Sequence, residues 1–197
     1  MQFTLLAGFV GVALVAYLVP GPDWLIVVRG ATMSARHGAI TGLGTQAGLL
    51  VHGLLATVGV SAVVAAAPWA LLAIQVAGAI YIGYLGISGL RRRGADAEVG
   101  PTGWRQAFVT NLTNPKVIVF FVAVAPQFVD TGSAVWPQML VLTVVDVVIG
   151  IIWWVLLAYL LRPVIARVGP ARIARVASVL LVVVAVALLA YSVVEYL

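Results

Sequence analysis

Three ionisable side chains of this 197-residue chain stand inside apolar stretches: Asp23, Lys116 and Asp146. Asp23 directly follows Pro20-Gly21-Pro22, and Lys116 directly follows Asn114-Pro115, with Asn111 one turn earlier. An acid and a base presented in this way match the two ends of an amino-acid zwitterion. Asp23 would receive the ammonium group, and Lys116, Asn111, Asn114 and freed backbone N–H groups the carboxylate. The rival reading is a permanent Asp23–Lys116 salt bridge. Asp146, in the middle of another apolar run, could carry a coupled proton or pair with Lys116. His52 could carry a proton or hydrogen-bond between helices. Gln46 serves as interhelical glue or as a lining contact for a ligand.

The prolines explain why chemistry belongs at these places. Pro20 and Pro22 remove two backbone donors, Gly21 relaxes the conformational limits, and helix restarts at Pro22, since proline suits the first helical position. The restarted N-terminus leaves N–H groups free inside an apolar medium, where each unsatisfied group costs several kcal/mol. An anion, a carboxylate or water must satisfy them, unless neighbouring helices simply cover a kink. At the second break Asn114 is a good N-cap and Pro115 fits the first position. Lys116 there opposes its own helix dipole, so it needs an anion nearby or must snorkel to the membrane edge.

The elements that hold these residues follow from composition. Sixty-three per cent of the chain is hydrophobic and 9% charged, against about 25% charged in a soluble domain. Charge-free runs such as Phe3–Val19 and Val51–Leu72 approach or exceed the roughly 20 residues that cross a bilayer. Apolar runs and breakers predict six helices. They cover about Phe3–Met33 (broken at Pro20–Pro22), Gly38–Ala67, Trp69–Leu90, Trp104–Val129 (broken at Asn114-Pro115), Val135–Leu161 and Arg172–Tyr196. The sequence therefore predicts an all-α integral membrane protein forming a single membrane domain over 1–197. The first segment has no basic residue before Phe3 and reads as a retained helix, not a cleaved leader.

Basic residues sit on alternate connections. Arg29 and Arg36 lie on the first, Arg91, Arg92, Arg93 and Arg105 on the third, and Arg162, Arg167, Arg172 and Arg175 on the fifth, which accounts for ten of eleven. The positive-inside rule then makes these connections cytoplasmic and puts both termini outside. The net charge of +5 is thus a topology signal, not a nucleic-acid surface. Each half starts with a broken helix, and Pro22 and Pro115 hold matching places. Repeat one (1–93) and repeat two (104–197), joined by a cytoplasmic linker (91–103), have three helices each and so would insert with opposite orientation. Inverted repeats with discontinuous helices mark secondary transporters, whose binding site lies where the breaks meet.

Other functions are poorly supported. There is no cysteine and there are two histidines, so no thiolate or polyhistidine metal site and no cofactor is expected. No nucleophile set or phosphate loop suggests an enzyme. Export of an inorganic ion by the same fold and a non-transporting membrane subunit stay as alternatives. Gly38, Gly42, Gly44, Gly48 and Gly53 form a small-residue face suited to close helix packing, which leaves homodimerisation open. Trp69, Trp104 and Trp136 sit at helix ends and read as interfacial anchors.

The chain resembles the LysE/RhtB family of amino-acid exporters. The resemblance rests on Pro20-Gly21-Pro22, on the Gly-rich second helix ending near Leu49-Leu50-Val51-His52, and on Ala77-Gly78-Ala79-Ile80-Tyr81 with Tyr84-Leu85-Gly86 and Leu90-Arg91. Its most specific part is Asn111-Leu112-Thr113-Asn114-Pro115-Lys116, followed by Phe120-Phe121 and Ala125-Pro126-Gln127-Phe128. It implies a bacterial inner-membrane permease exporting amino acids or close derivatives by proton antiport, with Pro20, Gly21, Pro22, Asn114, Pro115 and Lys116 as motif positions. Where the family commonly carries a lysine before the Gly-Ala-x-Tyr stretch, this chain has Gln75. Asp23 and Asp146 come from the physical argument alone.

Overall fold

A computed structural model describes residues 2–19, 21–66, 68–91, 103–161, 167 and 170–196. Pro20, Arg92, Arg93, Arg162 and most of the linker lie outside the described residues, as does the side chain of Trp69. The elements, in chain order, are α1 (Phe3–Leu18), α2 (Pro22–Met33), α3 (Ala35–Ala66), α4 (Pro68–Arg91), α5 (Trp104–Leu112), α6 (Pro115–Val119), α7 (Val135–Leu156) and α8 (Pro170–Tyr196). After α6 the chain continues through a π-type turn at Phe120–Val124 and a 3₁₀ turn at Ala125–Phe128, and a second π-type turn, Leu157–Leu161, extends α7. No strand occurs among the described residues.

Both proline breaks are real bends. The axes of α1 and α2 differ by 61°, and those of Trp104–Leu112 and Pro115–Phe128 by 53°. Ala35–Val64 and Val135–Leu160 are each long and apolar enough to cross a membrane alone, and each bent pair qualifies as one further span. The helices α4 and α8, 24 and 27 residues long, carry the shorter apolar stretches Leu72–Ser88 and Ser178–Ala190.

Packing follows small residues. A side chain at Gly42 would collide with Trp154, one at Gly44 with the backbone of Trp104, one at Gly48 with Asn111, and one at Gly53 with Thr143. The glycine face of α3 is therefore spent within the chain, on α5 and α7, and offers no argument for a homodimer. Gly78 approaches Ala123 and Gly86 approaches Val182 in the same manner, seating α4 against the second broken helix and against α8. The outward surfaces are apolar: Leu54, Leu55 and Val58 on α3, Val144, Val148 and Ile152 on α7, and Val183 and Val186 on α8 are all exposed. Polar residues point the other way, with Thr41, Thr45 and Gln46 on α3 and Thr143 and Asp146 on α7 buried. That inside-out distribution suits a lipid solvent.

Candidate functional site

At the first break α1 ends and leaves carbonyls without helical partners, while α2 begins at Pro22 and leaves N–H groups. Gly21 is the N-cap of α2, with φ −151° and ψ −169°. This is extended backbone that any residue adopts, so the expected need for glycine's conformational freedom is not met here. The ammonium of Lys116 lies against this glycine instead.

Lys116 donates from Nζ to the carbonyl oxygens of Ala16 (3.2 Å) and Val19 (3.3 Å). It thus closes the C-terminal end of α1, where a cation complements the helix dipole. Trp24 Nε1 adds a third side-chain hydrogen bond, to the Tyr17 carbonyl at 2.9 Å. The reason is local: a lysine at the start of its own helix is repelled there, and the end of a neighbouring half-helix offers it carbonyls. Lys116 turns inward to these two backbone oxygens, and among the described residues it forms no ion pair with Asp23 or Asp146. The salt-bridge readings are corrected accordingly.

The second break answers the first. Asn114 accepts the Lys116 backbone N–H on Oδ1 at 3.0 Å, the N-cap expected of it. With Oδ1 so occupied, Nδ2 donates to Asp23 Oδ2 at 2.7 Å, and Asn111 Nδ2 reaches the same oxygen at 3.2 Å. Both amides were expected to hold a ligand carboxylate. They are turned to the protein's own carboxylate because Asp23, 5% exposed, is a buried acceptor that would otherwise be costly to leave unmatched. Its other oxygen, Oδ1, has no partner.

Tyr17, Asp23, Gln46, Asn111, Lys116 and Asp146 converge on one cavity of about 50 Å³, closed on its apolar sides by Trp24, Leu49, Ile82, Val117, Phe120 and Trp154. That volume holds a few water molecules. Asp146, 2% exposed, leaves Oδ1 without a partner. The Tyr17 hydroxyl lies 3.2 Å from both Gln46 Oε1 and the Asp146 backbone oxygen, to either of which it can donate. His52 stands apart from this wall. Its Nε2 lies 3.2 Å from the Asn111 carbonyl, and since a carbonyl only accepts, Nε2 carries the hydrogen and ties α3 to α5. Pro22 is exposed at the start of α2 and does not line the cavity.

Residue types alone did not single out Tyr17, Trp24 or Trp154. Trp154 is 3% exposed, its ring stands edge-on to Tyr17 with centroids 5.9 Å apart, and its indole N–H has no partner. The one available signal was the glycine at position 42, which makes room for it.

A helical bundle that is apolar outside, and whose two helix breaks meet at a buried charged cavity, defines a membrane protein built around a polar interior. The chain matches the family described as LysE type translocator over residues 14–192, and it belongs to that family. It is a membrane transporter of a bacterial family, not an enzyme, with a small-molecule substrate and a lipid environment. It is 39% identical over 150 residues to an "Uncharacterized membrane protein" of Vibrio cholerae, covering 71% of this chain and 72% of that one. It is 32% identical over 143 residues to the "Homoserine/homoserine lactone efflux protein" of Salmonella typhimurium (68% and 69%). With the "Leucine efflux protein" of the same organism it shares 32% identity over 130 residues, 61% of each chain. No solved structure matches the chain.

Proposed function

We propose that this protein is an amino-acid exporter of the bacterial inner membrane. Its six spans form two inverted three-helix repeats, 1–93 and 104–197, with the basic connections cytoplasmic and both termini outside. The observation that carries the reading is Asp23: a buried carboxylate at a helix break, held on one oxygen by Asn111 and Asn114 and unpartnered on the other. A carboxylate so fixed is oriented before a ligand arrives, and an ammonium group is the charged donor it lacks. Efflux proteins for leucine and for homoserine among the relatives support the same substrate class.

Asp146, on the same cavity wall, is assigned the coupled proton, so that amino acid and proton exchange across the membrane. Lys116 and the two asparagines then hold the breaks and Asp23 in place around the substrate. The cavity, sized for a few waters, must widen to load an amino acid, and the two bent helices supply the hinges.

The test is uptake of labelled leucine, homoserine and a wider amino-acid panel into inverted membrane vesicles under an imposed pH gradient. Saturable, gradient-dependent uptake that disappears in Asp23→Asn, with folded protein still in the membrane, is the expected result. Unimpaired transport by that variant, or no uptake of any amino acid, refutes the reading.

A further inference from the structure

The polar atoms around the cavity are unevenly matched, and the imbalance defines a ligand. Its strong donors are largely engaged inside the protein. The side-chain amides of Asn111 and Asn114 are on Asp23, and two of the three ammonium hydrogens of Lys116 are on the end of α1. Three acceptors of the lining residues are not engaged: Asp23 Oδ1, Asp146 Oδ1 and the amide oxygen of Asn111 are buried without a partner. One neutral donor also remains unmatched, the Trp154 indole N–H. Trp154 is fixed by its edge-on contact with Tyr17 and by its seat over Gly42.

Charge counting gives the same answer. Once Asp146 has released its proton, two carboxylates face one ammonium on this wall, and unbalanced charge at membrane depth is expensive. What the cavity lacks is a cation, not an anion.

We infer that the site selects its ligand through the ammonium group, with a neutral carbonyl oxygen as the second contact, and that a negative charge on the ligand is dispensable. On this reading, which rests on the exporter assignment, the ligand class is primary amines with an apolar body and a carbonyl oxygen. The ammonium lies between Asp23 and Asp146. The carbonyl accepts from Trp154 Nε1, which serves the oxygen of an acid, an amide or an ester equally. The apolar body meets Leu49, Ile82, Val117 and Phe120. Amino-acid amides and esters are therefore ligands on a par with the free amino acids.

The experiment measures binding to the purified full chain in detergent, by thermal shift and by calorimetry. The probes are leucine, leucinamide, leucine methyl ester and 4-methylpentanoate, the last of which keeps the carboxylate and body but lacks the amine. Leucinamide and the ester should bind within about threefold of leucine, and 4-methylpentanoate at least about a hundredfold more weakly. Trp154→Phe, which keeps the ring and removes the N–H, should weaken the amide and ester by about three- to tenfold, the worth of one hydrogen bond. If 4-methylpentanoate binds and leucinamide does not, or if no amine binds, the inference is overturned. Asp146→Asn serves as a second loss-of-affinity variant should Asp23→Asn fail to fold. Because binding is read without transport, amine binding in a protein that moves no amino acid refutes the exporter assignment and leaves the ammonium rule standing. Leucine transport without recognition of the amide does the reverse.

Discussion

The ammonium of Lys116 lies 3.2 Å from the carbonyl oxygen of Ala16, a residue 100 positions earlier in the chain. The contact is one half of an exchange between the two breaks. The residue after the second restart proline closes the end of α1, while the residue after the first, Asp23, is held by the asparagines that precede the second. Each interruption is completed by the other, so neither bent helix satisfies its own polar groups alone.

Replacing Lys116 tests that exchange. Lys116→Met removes one of two donors from the Ala16 carbonyl, which keeps the Val19 N–H, and the side-chain donor from the Val19 carbonyl, at about 1–3 kcal/mol for the group left unsatisfied. The melting temperature in detergent should fall, and Lys116→Gln should recover part of the loss, since an amide still donates. Equal stability of the methionine variant and the parent would show that the strap is incidental.

Asn114 has two duties that can be separated. Asn114→Ala loses the N-cap, worth about 0.5–2 kcal/mol, and the bond to Asp23. Asn114→Asp keeps the cap but places a second carboxylate at Asp23 Oδ2. In a double-mutant cycle with Asp23→Asn, Asn114→Ala should show a coupling of about 0.5–3 kcal/mol, read as unfolding midpoints. Additive effects would mean that the 2.7 Å contact contributes nothing to stability.

Much of this arrangement was legible in the residues themselves. Apolar run lengths gave the helices, Pro22 and Pro115 gave both bends, and the side chain of Asn114 marked its own cap. The direction of the polar contacts was not legible. Which oxygen an asparagine amide faces depends on partners 88 and 91 positions away, and helical periodicity carries no information across that distance. For the same reason Lys116 suggested an anion, when the opposing end of α1 supplies the negative pole. Trp154 was invisible because an aromatic residue in an apolar helix reads as packing until its unpaired N–H is seen beside a cavity.

Gly150 offers a test of how tightly α7 holds the cavity wall. A methyl group there would overlap the Tyr17 hydroxyl and the Gln46 side chain, so Gly150→Ala must displace the pair that covers Asp146. A cost of about 1–3 kcal/mol is expected for such overpacking, together with loss of transport. Gly11→Ala is the matched control. Nothing lies within 4 Å of a side chain at Gly11, inside α1, so transport should match the parent and the melting temperature should be equal or slightly higher, alanine being the better helix former by about 0.5–1 kcal/mol. Comparable losses at both positions would point to a general intolerance of α-helical glycine substitution.

Membrane orientation can be read directly, because the chain contains no cysteine and any cysteine introduced is the only one. Arg91, exposed at the end of α4, and Gly132, exposed in the turn before α7, sit on connections that the charge pattern assigns to opposite sides. In intact cells a membrane-impermeant maleimide should label Gly132→Cys and spare Arg91→Cys, and in inverted vesicles the pattern should reverse. The two positions are separated by the second broken helix, so opposite labelling also establishes that α5 and α6, despite their 53° bend, together cross the bilayer once. Labelling of both from the same side would make that segment a re-entrant loop and would remove the inverted relation between the two halves.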